Sequence, residues 1–205
     1  MQQTVSQKLA RIASAVLQPI FVPLYAILLW WTVVPAELGW SYRLYSATPM
    51  FFFAFLFPGT VHLWYYATGR VSDFFISNKK ERRPIYIISM VSILFCCLQL
   101  HLFHIWPLST FMLYSLVALC IVSLINRRWK ISAHMAAWGC LVGGVFAFQY
   151  ATYRLNLELL ILLVLLSGVL GWARIETHSH TLSQVISGFL LGVGSATIAL
   201  LITLY

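Results

Sequence analysis

Apolar residues gather into seven runs along the chain, at about 13–34, 49–68, 84–106, 108–125, 132–150, 155–173 and 182–204, with short polar breaks between them. Each run approaches the ~20 residues that a helix needs to cross the hydrocarbon core of a bilayer. The pattern predicts an all-α fold, a polytopic transmembrane helical bundle of six to seven spans that forms one membrane domain over residues 1–205. The third and fourth runs are separated only if a tight turn forms near Trp106 and Pro107. Residues 1–12, where Lys8 and Arg11 stand among mixed polar and apolar positions, predict a short interfacial lead-in. The first long run holds Pro19 and Pro23 and lacks a small-residue cleavage pattern, so it is expected to remain as the first membrane helix.

Composition narrows the class. Hydrophobic residues make up 61% of the 205 and charged residues 9%, and the mean hydropathy is +0.86, which excludes an ordinary soluble domain. A net charge of +8 in a soluble protein would suggest nucleic acid. Here the basic residues sit in short loops beside apolar runs, so anionic membrane lipids and a phosphorylated lipid are the expected partners, and nucleic acid is not. Seven crossings put the amino terminus and the breaks near 69–83, 126–131 and 174–181 on one side, with eleven of the thirteen Lys and Arg residues; Arg43 and Arg154 fall on the other. The positive-inside rule then predicts that these breaks face the cytoplasm from an inner or plasma membrane of bacterial type.

Other polar and aromatic positions read as structure. Cys96, Cys97, Cys120 and Cys140 lie inside apolar runs without metal-ligand spacing and read as small core residues. His62 reads as a hydrogen-bonded core residue, and His101 and His104 as interfacial. The eight tryptophans fall mostly near run ends and predict interfacial belts.

Three polar breaks carry the candidate chemistry: Asn78-Lys79-Lys80-Glu81-Arg82-Arg83-Pro84, then Lys130-Ile131-Ser132-Ala133-His134, then Ala173-Arg174 through His180 to Gln184. The last resembles the third signature of the type 2 phosphatidic acid phosphatase superfamily, which reads Ser-Arg, five residues, His, three residues, Asp. Arg174 and His180 match in type and spacing; Ala173 stands in place of the Ser and Gln184 in place of the Asp. The second break is similar to the family's Pro-Ser-Gly-His, keeping Ser132 and His134 with Ile131 and Ala133 at the other two places. The first is similar to its Lys, six residues, Arg-Pro: Arg83-Pro84 is kept, the Lys position is Ile76, and Lys79 or Lys80 would have to reach from a shorter spacing. The ordered set covers about residues 70–192.

Chemistry gives the same residue types a reason. Hydrolysis of a phosphate monoester needs its negative charge masked, a nucleophile able to reach phosphorus, and a proton for the leaving oxygen. Arginine forks match phosphate oxygens, which suits Arg83 and Arg174, with Lys79 or Lys80 as a further point charge. The resemblance implies a lipid phosphate phosphatase in which His180 is the nucleophile, His134 the acid and base, Ser132 a phosphate hydrogen-bond donor, and Gln184 the group that orients His180. It implies no metal and no other cofactor. Glu176, in the same break, is an alternative source of the missing carboxylate. The four departures at Ile76, Ile131, Ala133 and Gln184 motivate a competing expectation, an inactive relative that binds or moves phosphorylated lipids.

Overall fold

The computed structural model describes residues 4–73, 76, 78 and 81–204. Helix is the only regular structure among them. The elements are α1 (Val5–Val16), α2 (Val22–Val33), α3 (Gly39–Pro49), a π-helical segment (Met50–Leu56), α4 (Phe57–Ala67), α5 (Arg82–Leu102), α6 (Trp106–Ile125), α7 (Ala133–Ala151), α8 (Leu157–Glu176) and α9 (Leu182–Leu204). Six stretches are long and apolar enough to cross a membrane: Val5–Val33, Ala36–Ala67, Arg82–Leu102, Trp106–Ile125, Leu157–Glu176 and Leu182–Ala199. The protein is therefore a multi-pass helical membrane protein.

The helices follow the apolar runs, with differences that have local causes. Helix α1 starts at Val5, because Thr4 and Gln7 form a capping box in which each side chain accepts from the other's backbone N–H, at 3.2 and 3.3 Å. The second helical stretch begins at Ala36, well before residue 49. Its polar first turns are held by Arg43, whose guanidinium donates to the carbonyls of Trp31 and Val34, while Trp31 Nε1 donates to Arg43 O at 3.1 Å. The turn dividing α5 from α6 falls at residues 103–105, where His104 takes φ +59 and Ile105 N–H donates back to Leu100 O at 2.9 Å. Gly69, Tyr153 and His178 occupy the same left-handed position after α4, α7 and α8, so only one of these four helix ends uses glycine.

The described residues divide into two compact units. The unit of residues 20–116 contains α2 to α5 and the start of α6. Its π-helical segment lies between Pro49 and Pro58. A π-helical bond to Phe53 O would come from residue 58, and Pro58 has no N–H to give. Ser92 Oγ on α5 donates to Phe53 O instead, which satisfies a carbonyl that lipid could not.

The unit of residues 1–19 and 117–205 is built around α7. Eleven of its 19 residues are buried, including Trp138, Gly139, Leu141 and Gly143, so α7 faces protein more than lipid and its sequence is less apolar than its neighbours'. Helix α9 crosses α7 at backbone contact. A Cβ on Gly143 would lie 2.7 Å from Val193 O and one on Gly188 2.5 Å from Ser132 O; Cβ atoms on Gly139 and Gly192 would strike Phe189 O and Ala136 O. Glycines at every fourth position on both helices are what allow this approach. Trp138, which the run-end pattern had suggested for an interfacial belt, is only 2% exposed, and its Nε1 donates to Leu17 O at 2.9 Å.

Candidate functional site

At one end of the α7–α9 unit, two loops meet: residues 126–132 between α6 and α7, and 177–181 between α8 and α9. Three helix ends are fixed there by ordinary capping chemistry. Ser132 is the N-cap of α7, its Oγ accepting from Met135 N–H at 3.4 Å. Thr181 precedes the first residue of α9, and its N–H donates to Gln184 Oε1 at 3.2 Å. Arg174 lies in the last turn of α8, where a cation is favoured by the helix dipole. Ser132 N–H also donates to Gln184 O at 3.3 Å, so the first turns of α7 and α9 lie side by side.

The spacing of Arg174 and His180 now has a structural cause. Helix α8 ends at Thr177, His178 turns the chain in the left-handed region at φ +52, and both Ser179 N–H and His180 N–H return to Arg174 O at 3.1 Å. The six-residue step thus folds back on itself and brings the His180 backbone onto the Arg174 carbonyl at the end of α8. Arg174 is 1% exposed and His180 6%, whereas His178 points outward as an exposed residue. His134, 8% exposed, sits two residues after Ser132 in the first turn of α7, and Ser132 is fully buried.

The ring of His180 is held on one side by two oxygens: Nδ1 lies 3.0 Å from Gln184 Oε1 and 3.1 Å from Lys130 O. Glu176 is half-buried at the end of α8, and no hydrogen bond or ion pair joins it to His180. Arg174, His180, Gln184, Ser132 and His134 therefore belong to one end of one unit. Arg83, in the other unit, is exposed on the first turn of α5; its neighbour Arg82 is the buried one, with Nε donating to Ile76 O at 2.8 Å. Lys79 and Lys80 lie outside the described residues.

The structure adds one main-chain contributor to the residues expected from sequence, and gives Gln184 a second task. The carbonyl of Lys130 is a main-chain group and has no side-chain signature. The Thr181-Leu182-Ser183-Gln184 stretch does have one, a Thr followed three places later by Gln at a helix start, so Gln184 serves the α9 cap as well as His180.

The arrangement presents a buried guanidinium, two buried imidazoles and two adjacent helix N-termini, the elements of a site for an anion. The class these observations define is a multi-pass helical membrane protein with buried histidine and arginine side chains at one end of its α7–α9 unit. Comparison with protein families, with curated proteins and with solved structures finds no match.

Proposed function

We propose that this protein hydrolyses the phosphate ester or pyrophosphate of a membrane lipid through a phosphohistidine on His180, without a metal. The observation that carries the reading is that buried Ser132 and His134 start α7, whose first turn lies beside that of α9, while buried Arg174 ends α8 and its carbonyl accepts from the His180 N–H ahead of α9. Arg174 would grip the phosphate oxygens as a fork, and the Ser132 hydroxyl, which accepts from Met135 N–H, keeps its own hydrogen to donate. His180 Nε2 attacks phosphorus, the bond from phosphorus to the lipid oxygen breaks, and His134 in its protonated form gives that oxygen its proton. Water then attacks the phosphohistidine, His134 takes back a proton, and inorganic phosphate leaves. A lipid tail suits the site because its walls are membrane helices.

The test is phosphate release by the purified protein from phosphatidic acid, phosphatidylglycerol phosphate, polyprenyl phosphate and pyrophosphate, and lipid A. Release from at least one of them that disappears in a folded His180→Ala variant supports the reading. No release from any of them by the wild type would sink it, and retained binding of the same lipids would then favour the inactive lipid-binding relative. That second reading draws on one observation, the neutral Gln184 where the family pattern carries a charged carboxylate.

A further inference from the structure

The turn that carries α6 into the 126–132 loop holds more positive charge than its own structure uses. The closing carbonyls of α6 are met by the main chain: Asn126 N–H donates to Val122 O at 2.8 Å, Arg127 N–H to Leu124 O at 3.2 Å, and the N–H groups of Arg128 and Trp129 to Ile125 O at 3.0 and 2.8 Å. The Arg127 and Arg128 side chains are exposed, and neither guanidinium has a hydrogen bond or ion pair among the described residues. Other arginines are engaged, Arg43 and Arg82 with main-chain carbonyls and Arg70 with the Trp64 ring at 4.4 Å. No carboxylate neutralises the pair either. Among the described residues of this unit the carboxylates are Glu158, in the first turn of α8, and Glu176, which makes no ion pair. Trp129, 39% exposed, completes the turn.

We propose that the Arg127-Arg128-Trp129 turn docks the headgroup of an anionic membrane lipid. The turn follows directly on the span Trp106–Ile125, so it stands where hydrocarbon gives way to headgroups. Two guanidinium forks suit a headgroup phosphate, and an exposed indole beside them belongs at the same level, with its ring toward acyl chain and its N–H toward water. Position gives the turn a role at the candidate site. Two residues after Arg128, the Lys130 carbonyl lies 3.1 Å from His180 Nδ1, and Ser132 then caps α7. Two residues of chain reach about 7 Å at most, so a lipid held by Arg128 is held beside His180. The turn concentrates anionic lipid next to the residues that would act on it, without touching the reacting phosphate. The binding part of this inference stands without the hydrolase reading; the kinetic part rests on it.

The test uses the intact protein in lipid nanodiscs, which leave both faces open and so remove any effect of orientation. Tryptophan fluorescence is quenched with bromine-labelled phosphatidylglycerol or bromine-labelled phosphatidylcholine, and the part due to Trp129 is the difference from Trp129→Phe. The wild type is expected to show stronger quenching by the anionic lipid at equal mole fraction, and salt is expected to weaken that preference because the contact is exposed. Arg127→Gln combined with Arg128→Gln is expected to lower the preference about tenfold or more, with the thermal midpoint unchanged. In lipid-phosphate hydrolysis the double variant is expected to raise KM by a similar factor at unchanged kcat. Equal quenching by the two lipids in the wild type overturns the proposal. So does a preference that survives in the double variant, since the two arginines would then serve topology alone. A fall in kcat at unchanged KM overturns the recruiting role, because the arginines would then act on the shape of the loop. The expected lipid preference with no phosphate released from any lipid would uphold the docking turn and refute the hydrolase.

Discussion

The two units use their scarce polar groups in opposite ways. In the unit of residues 20–116, a carboxylate organises the break before α5: Glu81 accepts from Ser72 N–H at 2.7 Å, from Ser72 Oγ at 3.0 Å and from Asn78 Nδ2 at 2.7 Å. The break before α9, in the other unit, is organised by neutral oxygens, those of Arg174, Lys130 and Gln184. The helices differ in the same sense. Unit 20–116 accommodates prolines by a π-helical segment and a side-chain rescue from Ser92, whereas α7 and α9 approach each other through glycines. A loop that only has to hold its shape can spend a charge on itself. Under the proposed reading, neutral oxygens beside His180 suit a loop that receives an anion, because a fixed negative charge at that point would repel the ligand.

Four substitutions probe this contrast. The largest effect is expected at the anion end: His180→Ala should reduce lipid-phosphate hydrolysis by about a thousandfold or more, as loss of a nucleophile does, while the thermal midpoint in detergent stays within a few degrees. Hydrolysis at an unchanged rate would remove the functional half of the comparison. Next is the seam. Gly192→Val would drive its side chain into Ala136 O and the backbone around Cys140, which no rotamer relieves, and should destabilise the protein by about 3 kcal/mol or prevent its folding. A lowered thermal midpoint, or loss of monodisperse protein on gel filtration, is the readout. Ser92→Ala is milder, because it leaves the Phe53 carbonyl without its side-chain donor; about 1 kcal/mol of lost stability is expected, measured by the same melt.

The smallest effect is set by pH. The bonds from Ser72, its backbone N–H first, and from Asn78 hold the Glu81 carboxyl below its ordinary range, opposed in part by desolvation and, less, by Asp73. A folded-state value below the unfolded one means that the contribution is present above the usual carboxylate range and fades as pH falls through the depressed value. Amide exchange at Ser72, corrected for the intrinsic pH dependence, should therefore quicken on acidification in the wild type. In Glu81→Gln it should be fast throughout and show no such step. A step that survives in Glu81→Gln would assign it to another group.

Much of the fold was legible because lipid imposes a length on each helix. The boundaries of α5, α6, α7, α8 and α9 fall within a few residues of the apolar runs. What escaped was governed by single local contacts. The Thr4–Gln7 box carries α1 back to Val5, and the Arg43–Trp31 exchange supports helix through polar residues ahead of 49. Trp138 looks interfacial by type, but its indole N–H finds a carbonyl freed by the break near Pro19. At the candidate site, Arg174 and His180 were legible because one short turn joins the end of α8 to His180, so their spacing determines the backbone contact between them. The Lys130 carbonyl was not, since any residue offers the same oxygen and only the folded loop selects it. Sequence favoured Arg83, beside Pro84, as the phosphate ligand; which of the pair is buried depends on how α5 begins, and the structure exposes Arg83 and buries Arg82.

The glycine seam also has a consequence for synthesis. Helix α7 leaves the ribosome roughly fifty residues ahead of the end of α9, which at 5–20 residues per second is a delay of about 3–10 seconds. During that interval its bare glycine ridge has no α9 to meet, and another small-residue helix in the same membrane, including α7 of a sister chain, is a ready substitute. Nascent chains stalled before Leu182 should therefore be the stage at which this protein is most prone to capture by a wrong neighbour, and the closing of the last helix is the step that ends the risk.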